Sequence, residues 1–174
     1  KSTHNPYIIS DYGGFSGLYD IGKIIQKLGI ENPVLVSSTD GVGTKTELVL
    51  QILGEKEGLI SLGKDIVGHS VNDILVSGAK PLYFLDYVAS SKIKSENIKY
   101  LLEGMSDACR ENDLAIMGGE TAEMPGIYQD GSYDIVGTIV GLVDSNKIIK
   151  GKEIIKEGDI VMGLLSSGPH TNGY

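Results

Sequence analysis

The chain has a single cysteine, Cys109, which excludes an internal disulfide and a zinc cage of thiolates. No apolar signal core occupies the N-terminus either, so a reducing cytoplasm is the expected compartment. Cys109 then reads as a small buried apolar residue, not a nucleophile. Positive charge is scarce: fifteen Lys+Arg against twenty-three Asp+Glu give a formal charge of −8. Neither nucleic-acid phosphate nor an anionic membrane surface is therefore an expected partner, although local anion sites stay open. Long hydrophobic runs are missing too. Residues 160–165 form one of the longest, far below the roughly 20 apolar residues a bilayer-spanning helix needs. What abounds is glycine, 24 of 174 residues, without a collagen period or low-complexity runs. Glycines in such numbers serve turns and close backbone approach. With 41% apolar and 22% charged residues, the chain suits one buried domain plus part of another. It starts at Lys1 and stops at Tyr174, and is expected to be a piece of something longer.

Periodicity predicts alternating helices and strands. A glycine-rich turn, Gly13-Gly14-Phe15-Ser16-Gly17, leads into a helical pattern over 17–30, with Leu18, Ile21, Ile25 and Leu28 on one face and a stop at Gly29. Val34 to Ser38 reads as a short strand running into Thr39-Asp40-Gly41-Val42-Gly43-Thr44-Lys45 and a helical stretch to Leu53. A second helix over 59–78 carries Asp65, His69 and Asp73 at i, i+4 and i+8. Leu82 to Ala89 is a buried strand containing Asp86, and Ser95 is the expected N-cap of a helix through Cys109. Leu114 to Met117 is a strand that the block Gly118 to Gly126 should break. Tyr133 to Val143 alternates as a long strand, with Gly137 and Gly141 on one face for close approach by another element. Residues 146–158 read as a linker, and Asp159 to Leu165 as a new strand. The expected class is α/β, with α+β as the neighbouring alternative.

Two stretches, Gly17 to Ile24 and Gly58 to Asp65, have the glycines and lysine of a phosphate loop but lack the Ser or Thr that would hold magnesium. Both overlap apolar helical patterns, so neither is read as a phosphate site. The loop from Asp40 to Lys45 is better placed, between a strand and a helix, where backbone N–H groups can meet phosphate oxygens. Asp40 would need a divalent cation between itself and a phosphate; a plain βα turn with a solvated lysine is the alternative. Asp40, Asp73 and Glu120, drawn from separate loops or helix ends, suit a magnesium-nucleotide site, against the alternative of three caps or solvated charges. His69 reads as a surface or packing residue without a catalytic role. His170 lies in a loop of small residues, Ser166 to Gly173, that could bind an anion such as a ribose phosphate or be a simple turn.

Asp73-Ile74-Leu75-Val76-Ser77-Gly78-Ala79-Lys80-Pro81 matches the D-x4-G-A-x-P signature of an ATP-binding superfamily. That superfamily includes aminoimidazole ribonucleotide synthetase, formylglycinamidine ribonucleotide amidotransferase, selenophosphate synthetase, thiamine-phosphate kinase and a hydrogenase maturation protein. Together with Thr39 to Lys45, Phe84-Leu85-Asp86-Tyr87, Gly118 to Gly126 and Ser166 to Tyr174, the chain resembles the aminoimidazole ribonucleotide synthetase (phosphoribosylformylglycinamidine cyclo-ligase) family along essentially its whole length.

The resemblance implies ATP-dependent closure of formylglycinamidine ribonucleotide to aminoimidazole ribonucleotide in purine synthesis, with release of ADP and phosphate. ATP activates an amide oxygen as a leaving group and a neighbouring nitrogen attacks, so the protein contributes chiefly positioning and charge neutralisation. It also implies magnesium ligation by Asp40, Asp73 and Glu120, with Asp65 as a fourth carboxylate on the nucleotide side. Gly41, Gly43, Thr44 and Lys45 would form the phosphate loop, Gly14 to Gly17 a flap, and Gly118, Gly119 and Thr121 further nucleotide contacts. Ser167, Gly168, His170, Thr171 and Asn172 would serve the substrate. The implied architecture is an N-terminal ATP-binding and dimerisation domain over 1–145, a mixed sheet flanked by helices that pairs into a barrel across a homodimer. Residues 159–174 would begin a second, truncated domain. Two alternatives are a nucleotide-binding dimerisation fragment without turnover and the synthetase domain of the related amidotransferase.

Overall fold

The computed structural model describes residues 2–10, 14–166 and 171–172. Its elements are α1 (Ile21–Leu28), β1 (Pro33–Gly41), α2 (Lys45–Leu75), β2 (Lys80–Ser90), α3 (Ser95–Glu111), β3 (Ala115–Glu123), β4 (Tyr133–Asp144) and α4 (Gly151–Ile154). The start of α1 is fixed by Asp20, whose carboxylate accepts the Lys23 N–H, and its end by Gly29 at φ 61°, the stop expected from the sequence. It begins later than the apolar pattern because Tyr19 is drawn into a bridge with Ile8. The two helical stretches around residue 54 join into α2, kinked where Gly54 takes φ 75°.

The strands form one mixed sheet in the order β1-β4-β2-β3. Antiparallel pairing joins β4 to both β1 and β2, whereas β3 runs parallel to β2, the connection between them passing through α3. Three expectations need correction. The Gly118 to Gly126 block does not break β3: Gly118, Gly119 and Glu120 pair with Leu85, Asp86 and Tyr87, and this ladder overrides the low strand preference of glycine. Ser95 is the first residue of α3, and Lys94 holds the cap position without a side-chain bond. Residues 159–166 form no strand; they are exposed and gain no ladder among the described residues.

Helices α2 and α3 cover one face of the sheet. Leu59, Leu62, Ile66 and Ile74 meet Leu101 and Met105 of α3 and Phe84, Ile135 and Ile139 of the sheet. Burial of each such side chain contributes roughly 1.5–3 kcal/mol. The close approach expected at β4 is present: a Cβ on Gly137 would lie 2.6 Å from the Phe84 ring, and one on Gly141 2.6 Å from Ile74 Cδ1. Among the described residues the opposite face is covered at one end only, where Ile24 of α1 packs with Leu82 and Leu142 and with Tyr7 and Tyr19. Elsewhere it is open, leaving Leu35 56% and Leu85 36% exposed.

Candidate functional site

Asp40 lies at the end of β1 and pairs in register with Gly137 of β4, so its side chain projects to the face covered by α2. One helical turn apart on α2, His69 and Asp73 stand opposite it. His69 Nε2 is 2.9 Å from Asp40 Oδ2 and 3.9 Å from Asp73 Oδ2. The three side chains offer donor atoms within 4.8 Å of one another. Asp73 Oδ2 also accepts the Ser38 hydroxyl at 2.9 Å, and Asp40 Oδ1 accepts the Gly41 N–H at 2.7 Å. That backbone bond, with desolvation opposing it and the His69 hydrogen bond adding to it, holds the Asp40 carboxyl below its ordinary value. Among the described residues no lysine or arginine reaches either carboxylate within 4.0 Å. Negative charge is thus left for a cation, and the 56% exposure of the Asp40 side chain leaves room for water or phosphate oxygens. This donor set fits a divalent ion.

Beside this pair the chain turns through Gly43, at φ 71°, into the first turn of α2. Thr44 stands at the cap position without using its side chain as a cap, and the Thr46 hydroxyl, buried, has no hydrogen-bond partner among the described residues. A helix start with an uncommitted cap suits an anion. Lys45 is not a free phosphate clamp. Its ammonium is paired with Asp65, both side chains being largely buried, and donates to the Thr171 carbonyl at 2.8 Å. Thr171 and Asn172 close one side of the site: Asn172 Nδ2 donates to Asp73 Oδ1 at 2.9 Å, and Asn72 Nδ2 donates to Thr171 Oγ1 and Asn172 Oδ1.

The structure therefore gathers Asp40, Gly41, Gly43, Thr44, Lys45, Asp65, Asp73, Thr171 and Asn172. It does not gather Glu120. Across the sheet, Asp40, Gly137, Asp86 and Gly119 form one row, and Glu120 is one residue further along β3, paired with Tyr87. Alternation turns the Glu120 side chain to the face opposite Asp40, and three strand spacings put it about 14 Å away. The expected convergence of three carboxylates fails on this parity. Gly118 and Thr121 share its edge strand, as does Gly119, and Gly17 abuts Met117 in a cleft of about 400 Å³ on the open face that Leu35, Tyr83 and Leu85 also line. Gly14 is exposed in the same turn. Ser167, Gly168 and His170 lie outside the described residues.

His69, Asn72 and Ser38 are the site residues that sequence reasoning missed. The i, i+4 spacing of His69 and Asp73 was a signal for the first; nothing marked the other two. Asp86 is placed under the helices, and burial pushes its carboxyl up to about 6. Cys109 is buried as expected, its thiol pushed up to about 12 chiefly by desolvation, with Asp86 adding to it.

The profile of the family described as AIR synthase related protein, N-terminal domain, matches residues 25–143. Phosphoribosylformylglycinamidine cyclo-ligase of Magnetococcus marinus is 49% identical over 173 residues, covering 99% of this chain and 46% of that protein. The chain spans about half the length of the curated relatives it matches. Thiamine-monophosphate kinase from Stenotrophomonas maltophilia shares the fold, with TM-score 0.63 and 16% identity, over 83% of this chain and 40% of that one. So does the hydrogenase maturation protein HypE, solved in complex with ATP, with TM-score 0.59 and 18% identity over 86% of this chain and 39% of that one. Among the described residues no helix is long and apolar enough to cross a membrane.

Proposed function

The chain belongs to the family described as AIR synthase related protein, N-terminal domain, and from that premise we propose that it supplies the nucleotide-binding half of a phosphoribosylformylglycinamidine cyclo-ligase. The reaction closes formylglycinamidine ribonucleotide to aminoimidazole ribonucleotide with ATP, giving ADP and phosphate, in the cytoplasm. One observation carries the reading. Asp40, at the end of β1, meets Asp73, in the last turn of α2, and runs on through Gly41 to Lys45 into the start of that helix, in a chain 49% identical throughout to a protein of that name. In this reading Asp40 and Asp73 hold the Mg2+ of ATP, and the start of α2 receives its phosphates. Lys45 is fixed by Asp65 as a local positive charge at the rim. Thr171 and Asn172 bring the substrate side against Asp73, where charge neutralisation and orientation supply most of the catalysis.

The open sheet face is where a second copy would pair to close a barrel. The placement of Gly17 and Glu120 against or towards that face agrees with nucleotide contacts made near such a dimer interface, where one chain alone does not join them to Asp40. The domain reading carries over as 1–145 for nucleotide binding and dimerisation, 146–158 as linker and 159–174 as the start of a second domain. A second reading is favoured by the chain's covering about half of its relatives: a nucleotide-binding, dimerising module that does not turn over by itself.

Calorimetry with a non-hydrolysable ATP analogue and Mg2+, paired with a cyclisation assay on the same sample, separates binding from turnover. Asp73→Asn is expected to weaken metal-nucleotide binding at least about tenfold, or 1.4 kcal/mol, with the melting temperature little changed. A variant that binds as the parent does removes the metal assignment.

A further inference from the structure

The cation site is not built from carboxylates alone. His69 stands between Asp40 and Asp73, with its side chain 12% exposed and Nε2 turned to both carboxylates. We propose that His69 is the third protein ligand of the cation, and that the resulting Asp-Asp-His set takes a first-row divalent ion such as Mn2+ in preference to Mg2+. This rests on the reading of Asp40 and Asp73 as the cation carboxylates.

The geometry suits an octahedral ion. Neighbouring ligands at about 2.1 Å from such an ion stand about 3 Å apart, and opposed ligands about 4.2 Å. The Nε2 to Oδ2 separations of 2.9 and 3.9 Å fall in that range, and the full set lies within 4.8 Å. Seating an ion needs movement of less than about 1 Å for each donor. Without a cation the 2.9 Å contact is a hydrogen bond that Nε2 donates to Asp40; a cation replaces that proton, and with the ring proton moved to Nδ1 the imidazole presents a lone pair at Nε2. Asp40 Oδ1 and Asp73 Oδ1 are occupied by the Gly41 N–H and the Asn172 amide, which orients the Oδ2 atoms toward the gap. Ser38 also donates to Asp73 Oδ2 at 2.9 Å, which leaves that oxygen further lone-pair capacity for a metal. The open side at Asp40 supplies the remaining positions to water and phosphate oxygens.

The choice of metal follows from the nitrogen. Mg2+ is hard, holds its water tightly and favours oxygen donors, so an imidazole adds little to its binding. First-row transition ions gain from an imidazole, and Mn2+ is the one that stays most tolerant of carboxylate and phosphate oxygens. A site of two aspartates alone would discriminate far less between the two ions.

The test titrates Mn2+ and Mg2+ into the chain. Free Mn2+ is followed by its electron paramagnetic resonance signal and Mg2+ by competition, and pulsed resonance reads hyperfine coupling from a directly bound nitrogen. The parent chain is expected to show that coupling, and His69→Ala to lose it together with at least about tenfold of Mn2+ affinity, while Mg2+ affinity changes less than about threefold. A parent chain without nitrogen coupling overturns the proposal, as does a His69→Ala protein with an unchanged Mn2+/Mg2+ ratio. Should His69→Ala fail to fold, the coupling in the parent chain decides alone. Asp73→Asn separates the two levels: loss of both ions sustains the carboxylate reading and leaves only the His69 assignment to the coupling result. Retention of Mn2+ in Asp73→Asn overturns both.

Discussion

Asp86 gives a stability change whose size and pH window can be worked from its placement. It shares the row of Asp40 but lies two strands further in, under the helix layer, and desolvation raises its carboxyl from 3.8 to about 6. Below pH ~4 the group is protonated in both folded and unfolded chains, and its burial then costs nothing electrostatic. Between pH ~4 and ~6 the folded chain keeps a proton that the unfolded chain has released, so stability falls as pH rises. Above pH ~6 the fall is complete. Close to two pH decades at 1.36 kcal/mol each amount to ~3 kcal/mol. Asp86→Asn has nearly the same shape and does not ionise. Urea unfolding of both proteins from pH 3.5 to about 8 should show the parent losing ~3 kcal/mol relative to the variant across this window. Other titrating groups are common to both and cancel. A difference that stays flat with pH, or that grows in the parent's favour as pH rises, refutes the argument that Asp86 is desolvated in the native state.

Lys45→Met leaves the carboxylate of Asp65 largely buried without its cation, at a cost of ~3 kcal/mol. Adding Asp65→Asn should recover more than half of that in urea unfolding, whereas additive losses would show that the two groups are not coupled. Gly104→Ala tests the crossing of α2 and α3, because a Cβ there would collide with the Ile60 carbonyl. The overpacking cost of ~1–3 kcal/mol exceeds the ~1 kcal/mol that alanine gains in a helix. The melting temperature should therefore fall by a few degrees; an unchanged or raised value would mean that the helices are not in such close contact.

The sequence was informative wherever the signal is local. The stop of α1 at Gly29, the facing glycines of β4, the burial of Cys109 and the Asp65-His69-Asp73 stripe follow from local turn chemistry and periods of 3.6 and 2. The apolar face expected for α1 is wrong: Ile24 is its buried residue, whereas Leu18, Ile21 and Leu28 are exposed, because the helix starts only at Ile21 and docks by a different side. The run from Thr39 to Lys45 was likewise legible as a strand, turn and helix start. Glycine misled in β3, since the residues that looked like a strand breaker are held by pairing with β2. Residues 159–165 misled in the other direction, an apolar run without a partner strand among the described residues.

What the sequence by itself determined was the class of fold, the family likeness and the set of acidic residues from which a cation site could be made. Tertiary structure alone decided which of them meet. Asp40 and Glu120 look equivalent as acids beside glycines, yet strand register and side-chain alternation send them to opposite faces and edges of the sheet. The same folding places His69 between Asp40 and Asp73 and Asn172 against Asp73. Register and helix docking join residues far apart in the chain, so no local period announces them.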